Sequence, residues 1–231
     1  MSQQRRPRSS PRAWKRVTLG GAALAAAALL LATLVIVLAR PEGAAERDRM
    51  AVVGDSNTEM DSPDFAAGQI GDDSWVSTLL AEGYRFAGGW AVAGSTSVQQ
   101  AEGLAEVENA DVLLVMTGTN DLARGVGFEE TAPSLETIVA KAPAERVVLL
   151  AIPPREQETT PSSAEFNTQL EELAEEQGWE FFDGLEFLRS PDGGFLAGTT
   201  NDGVHLTPDA QEQFGETVID YLADDDASSN G

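Results

Sequence analysis

Met50-Ala51-Val52-Val53-Gly54-Asp55-Ser56-Asn57 is a short apolar run that breaks on a glycine and passes directly into polar residues. Four apolar residues bounded by a turn former have the length of a buried strand rather than of a helix. A buried strand that ends on Gly leaves its sheet in a tight turn, and the next polar side chain is presented at the strand's C-terminal end. Open α/β sheets place their sites there. Ser56 is therefore a candidate nucleophile. A serine hydroxyl needs a neighbouring base to take its proton, and the sequence holds a single histidine, His205. Taken alone, Gly-Asp-Ser also reads as a polar turn, so the rest of the chain decides between the two.

Downstream of this stretch, apolar runs alternate with segments of helical spacing, the signature of βαβ units around a mainly parallel sheet. Strands are expected near 50–53, 86–92, 112–116, 147–152 and 179–182. Helices are expected over Trp75 to Ala81, Val98 to Val107, Pro133 to Ala140 and Ala164 to Gln177. In the last of these, Phe166, Leu170 and Leu173 form the stripe that faces the sheet, the glutamates form a solvated face, and Gly178 is a natural stop. Thr207 can cap a final helix with Pro208 in its first position and Phe214, Val218, Tyr221 and Leu222 on one face. The fold class is thus α/β, with a five-stranded, mainly parallel sheet over 50–223. An acidic tail, 224–231, is expected to be disordered.

Upstream, six basic residues within 1–16 precede an uncharged run, Val17 to Ala39. Those residues would form a helix of roughly 35 Å at about 1.5 Å per residue, enough to cross a hydrocarbon core of about 30 Å. The basic cluster would stay on the cytoplasmic side and leave the following domain outside. A signal anchor, a cleaved signal peptide ending near Val37-Leu38-Ala39 and a soluble helix are the three readings of this run. The anchor fits its length best. Residues 40–49 are a polar linker. The expected location is the cell membrane, single-pass, with secretion after cleavage as the alternative.

Charge narrows the partners. Residues 1–49 hold nine Lys/Arg against three acids, whereas residues 50–231 hold six against 35. So acidic a domain repels phosphate backbones, which excludes nucleic acid as a partner, and it disfavours anionic lipid headgroups. The acids otherwise read as a solvated, aggregation-resistant surface. The sequence has no cysteine, so disulfides and thiolate metal sites are excluded.

Three further blocks bear on chemistry. Asp202-Gly203-Val204-His205 sets a carboxylate three residues before the histidine, where it can hold Nδ1 and leave Nε2 free as a base. Gly118-Thr119-Asn120-Asp121 follows the run Val112 to Met116, so Asn120 should emerge at the same sheet edge as Ser56 and can aim its amide at an oxyanion. Gly94 follows another strand and opens a helix, with a backbone N–H able to serve as a second donor. Each block alone also reads as an ordinary turn or a structural residue. Asp55 and Asp121, beside the site residues, read as loop-holding groups. Phe65, Trp75 and Phe128 read either as core or as the lining of an acyl pocket.

Together the four blocks, in this order, resemble the SGNH, or GDSL-like, hydrolase family over residues 50–223. The resemblance implies a three-layer, flavodoxin-like α/β/α sandwich. It also implies Ser56 as nucleophile, Asp202 and His205 as its orienter and base, and an oxyanion hole made by the N–H groups of Ser56 and Gly94 with the Asn120 side chain. It implies an ester substrate, small molecule or polysaccharide, with no cofactor and no metal. Two departures stand out. The first block carries Asn57 where the family's name-giving form has Leu, and Gly89-Trp90 stand where members often carry Asn. An α/β-hydrolase elbow would need Gly at position 58, which is Thr. A membrane-tethered binding protein that keeps the fold without the activity is the reading from another class.

Overall fold

The structure, a computed structural model, describes residues 47–157 and 159–229. The expected basic segment 1–16, membrane span 17–39 and most of the linker lie outside those residues. Among the described residues no helix is long and apolar enough to cross a membrane.

Five parallel strands form one sheet: β1 Arg49–Gly54, β2 Arg85–Ala91, β3 Ala110–Met116, β4 Ala144–Leu150 and β5 Glu180–Phe182. Their order is β2-β1-β3-β4-β5, the flavodoxin-like arrangement. Among the described residues seven helices accompany them: α1 Ser56–Glu59, α2 Trp75–Ala81, α3 Ser97–Gly103, α4 Thr119–Arg124, α5 Phe128–Lys141, α6 Ser163–Gln177 and α7 Pro208–Ser229. A 3₁₀ turn spans Glu186–Leu188.

Side chains alternate across a strand, so each apolar run feeds two cores. Met50, Val52, Val112, Leu114, Val148 and Leu150 pack on one face with Trp75 and Leu79 of α2 and Phe214, Val218 and Leu222 of α7. Ala51, Val53, Leu113, Val115 and Leu149 pack on the other with Leu104, with Leu135 and Ile138 of α5, and with Phe166, Leu170 and Leu173 of α6. The result is a three-layer sandwich in which the central strands are sealed on both sides. Trp75 meets Phe214 edge to face at 5.4 Å between ring centroids. Trp75 and Phe65 are core residues, and Phe128 is partly buried against Phe166, at 5.5 Å.

Several boundaries differ from expectation. The strand begins at Arg49, inside the expected linker, because its N–H donates to Asp111 Oδ2 at 2.7 Å. Helix α3 stops at Gly103 rather than Val107, and Lys141 Nζ closes its end by donating to the carbonyls of Ala101 and Leu104 at 2.7 and 2.9 Å. Helix α5 starts five residues before Pro133, anchored where the Thr131 hydroxyl donates to the buried Asp121. Thr207 does not cap with its side chain, which donates instead to the Gly198 carbonyl at 3.2 Å. Finally, α7 runs on through Ser229, so the segment expected as a disordered tail is helical almost to its end. No Gly or Pro lies between Pro208 and Ser229 except Gly215, and nothing else in the sequence breaks the helix there.

Candidate active site

The parallel register puts the ends of three strands side by side. Gly54 pairs with Ala91 of β2 and with Met116 of β3, so the loops that follow β1, β2 and β3 leave the sheet at one edge. Ser56, Gly94 and Asn120 sit two, three and four residues past those ends. A side chain at 54 would collide with the Thr58 hydroxyl, and this close approach lets the chain turn at once into α1. Asp55 caps that helix, its Oδ1 accepting from the Asn57 N–H at 3.0 Å. Ser56 is then the first residue of α1, where no carbonyl of the helix can reach its N–H.

Gly94 lies in the turn after β2 with φ +75°, a left-handed conformation that favours glycine. It does not open the helix directly: Thr96 caps α3 through a capping box with Gln99. Ser95 Oγ, at 3.5 Å from the Gly54 carbonyl, ties this turn back to the end of β1. Asn120 lies on the short helix α4. Its Nδ2 donates to Asp55 Oδ2 at 3.1 Å, which holds the amide beside Ser56 and leaves its second N–H for another acceptor.

The fourth block arrives on the loop before α7. His205 Nε2 lies 2.8 Å from Ser56 Oγ, and His205 Nδ1 lies 2.6 Å from Asp202 Oδ2. The other carboxylate oxygen, Oδ1, accepts from the N–H groups of Val204 and His205 at 3.0 and 2.8 Å. Partial burial works against the Asp202 charge. The bonds from the His205 backbone and ring and from the Val204 N–H outweigh it and hold the carboxyl at about 2, below its ordinary 3.8. Asp202 is therefore ionised across the neutral range and accepts from Nδ1–H, which fixes the tautomer with Nε2 bare.

The two flanking aspartates have the loop-holding roles read from the sequence. Asp121 is fully buried and accepts from the Ser97 N–H at 2.9 Å, the Ser97 hydroxyl and the Thr131 hydroxyl at 3.0 Å, joining α3, α4 and α5. For Asp55, complete burial pushes the carboxyl up to about 6, against the opposing Asn57 N–H.

One residue was passed over in the sequence except as a departure. Asn57 is buried, its Nδ2 donates to the Val204 carbonyl at 3.2 Å, and its Oδ1 accepts from the Leu206 N–H at 3.2 Å. Its own carbonyl accepts from Gln211 Nε2 at 3.0 Å, and Gln211 Oε1 accepts from the Trp75 N–H at 3.1 Å. Asn57 thus grips the backbone on both sides of His205 and fastens it to the turn that carries Ser56. Only its place directly after the serine pointed to it.

Residues 52–213, most of the chain, match the GDSL-like Lipase/Acylhydrolase family. The chain belongs to that family. It is a hydrolase of ester bonds, and its fold is shared with solved members. A carbohydrate acetylesterase from Sinorhizobium meliloti is 21% identical, with a TM-score of 0.55 over 76% of this chain and 99% of that one. A GDSL-like lipase from Bacteroides thetaiotaomicron is 18% identical, with a TM-score of 0.57 over 85% of this chain and 97% of that one. At such identities the likeness is one of fold. A comparison with curated proteins finds no match. Within this GDSL-like acylhydrolase, the name-giving leucine position is taken by the Asn57 grip.

Proposed function

We propose that this chain is an extracytoplasmic serine esterase that cleaves short acyl esters, of acetylated carbohydrate or of lipid, through an acyl-enzyme. The observation that carries the reading is the relay from Ser56 through His205 to Asp202, at 2.8 and 2.6 Å, formed by residues 149 apart in sequence. A polar turn or a structural histidine has no need of that alignment.

On this reading His205 Nε2 takes the Ser56 proton as Oγ attacks the ester carbonyl carbon. The imidazolium that forms is stabilised by the Asp202 carboxylate. The carbonyl oxygen gains negative charge and is met by the Ser56 N–H, the Gly94 N–H and the free N–H of the Asn120 amide. His205 then protonates the departing alkoxide. Water, deprotonated by the same nitrogen, attacks the acyl-enzyme, and as the acyl–Oγ bond breaks His205 returns the proton to Ser56 Oγ and the acid is released. The location outside the membrane rests on the basic cluster and apolar run of residues 5–39.

The test is hydrolysis of a 4-nitrophenyl ester series by the full chain, by Ser56→Ala and by His205→Ala, with acetylxylan as a second substrate. A loss of about 10³-fold or more in kcat for both variants is expected. Equal rates in all three proteins would refute the assignment of nucleophile and base. An absence of turnover on every ester and on acetylxylan would favour a binding protein instead.

A further inference from the structure

Beside Gly94 the surface opens into a groove of about 480 Å³ lined by Trp90, Val92, Gly94, Gln99, Glu102 and Arg124 among others. Trp90 is half-buried and Val92 is exposed, so one wall is apolar. Arg124, in the last turn of α4, lies at the Gly94 end: a Cβ built on Gly94 would stand 3.3 Å from its Nη2. The guanidinium thus lies over the turn that presents the Gly94 N–H.

Arg124 is one of few basic side chains in this domain. Residues 50–231 carry 35 carboxylates and six basic side chains. Arg146 and Arg189 are paired with Glu180 and Asp183 at 2.7 and 2.6 Å. Arg85 Nε donates to the Arg47 carbonyl at 3.3 Å, Lys141 closes the end of α3, and Arg155 Nη1 donates to the Thr119 carbonyl at 3.2 Å. Arg124, among the described residues, makes no ion pair: its one contact is from Nη1 to Gln99 Oε1 at 3.4 Å. Gln99 is itself held by the capping box, its Oε1 accepting from the Thr96 N–H at 3.1 Å. The guanidinium is therefore positioned by a neutral acceptor, and its positive charge remains uncompensated at the mouth of the site. Glu102, one turn further along α3, is the other ionisable group in the groove and confines anion recognition to the Arg124 end.

We propose that Arg124 is a specificity residue that recognises a negatively charged group, a carboxylate or a phosphate, carried by the ester substrate close to its scissile bond. The apolar wall of Trp90 and Val92 receives the carbon skeleton between that group and the ester. The inference rests on the esterase reading above. Within a domain that repels anions on average, a local cation creates a place where an anion is tolerated.

Two matched ester pairs test it, one for each side of the bond. Mono(4-nitrophenyl) glutarate is compared with 4-nitrophenyl valerate for a charge on the acyl side, and 4-acetoxybenzoate with 4-acetoxybenzamide for a charge on the alcohol side. The readout is the ratio of kcat/KM for the anionic over the neutral member, in the wild type, Arg124→Gln and Arg124→Lys. On one of the two sides the ratio should fall roughly tenfold in Arg124→Gln, the low end for a charge-assisted hydrogen bond at an exposed site. It should be partly restored in Arg124→Lys, and the wild-type ratio should shrink as salt is added. A purely structural arginine would change both members of a pair alike. The same ratio in the wild type and Arg124→Gln on both sides overturns the proposal. Ser56→Ala separates the two readings, because it removes turnover whether or not Arg124 selects charge. Should no ester turn over, calorimetric binding of 4-acetamidobenzoate against its amide decides the matter, with equal affinity in the wild type and Arg124→Gln counting against the proposal.

Discussion

Asp202→Asn separates the chemistry of the relay from the architecture of its loop. Asn retains an oxygen at Oδ1, so the bonds from Val204 and His205 N–H at 3.0 and 2.8 Å can persist and the loop should keep its shape. What changes is the partner of His205 Nδ1. An amide NH₂ facing that nitrogen at 2.6 Å can only donate, which moves the ring proton to Nε2 and turns it toward Ser56 Oγ. A protonated Nε2 cannot accept the serine proton. For a buried aspartate in such a relay this exchange costs about 10⁴ in kcat. Here the Asp202 side chain is 54% exposed, and water can take over part of its role, so a fall of about 10³-fold, or about 4 kcal/mol in activation free energy, is expected. The assay is steady-state hydrolysis of 4-nitrophenyl acetate at pH 8 beside a thermal melt. Asp202→Ala, which also loses both backbone bonds, should show a lower melting temperature than Asp202→Asn. If Asp202→Asn keeps more than a tenth of wild-type kcat with an unchanged melt, the tautomer argument is wrong.

Two further outcomes follow from the same geometry. Asp55 has a folded-state value of about 6 against 3.8 when unfolded, so the native state binds its proton more tightly. The stability this lends is complete below about pH 4 and lost as pH rises through about 6, a change of about 3 kcal/mol at most. In Asp55→Asn that dependence should vanish, so urea midpoints of the two proteins should diverge in favour of the variant between pH 4 and pH 8; parallel curves would contradict the buried-carboxylate account. Asn57→Leu, which installs the family's name-giving residue, leaves the Val204 carbonyl and the Leu206 N–H unpaired. It should cost about 2 kcal/mol of stability together with roughly a tenfold loss of kcat as His205 loosens. Equal kcat in chemical denaturation-matched samples would show that His205 is held by other contacts.

The central strands were legible because they are buried on both faces and write themselves as apolar runs, Val112 to Met116 above all. Helix Trp75–Ala81 was read to the residue because Ser74 caps it and no competing contact moves its ends. Residues whose boundaries depend on distant partners were not legible. Lys141 stops α3 from 37 residues away in sequence, and Asp121 draws α5 forward through Thr131. The short helices α1 and α4 are four and six residues long, below the length at which periodicity speaks. In the site, Ser56, Gly94, Asn120, Asp202 and His205 announced themselves by their place after strands and loops. Asn57 did not, because a residue that binds backbone groups 147 and 149 positions away leaves no local pattern.

That clasp has a consequence for how the protein comes into being. Ser56 belongs to the first strand turn, whereas His205, the base proposed for it, and the Leu206 and Gln211 groups that bind its neighbour Asn57 all lie beyond residue 200. A growing chain can complete the sheet from β1 to β4 and still have no base for its serine. Contacts of such long range close late, since the entropy of the intervening loop must be overcome first. If His205 is the base as proposed, hydrolytic competence should appear only with the docking of the final loop and helix, so that the enzyme would be inert during synthesis and returning activity would be a clock for the last event of its refolding.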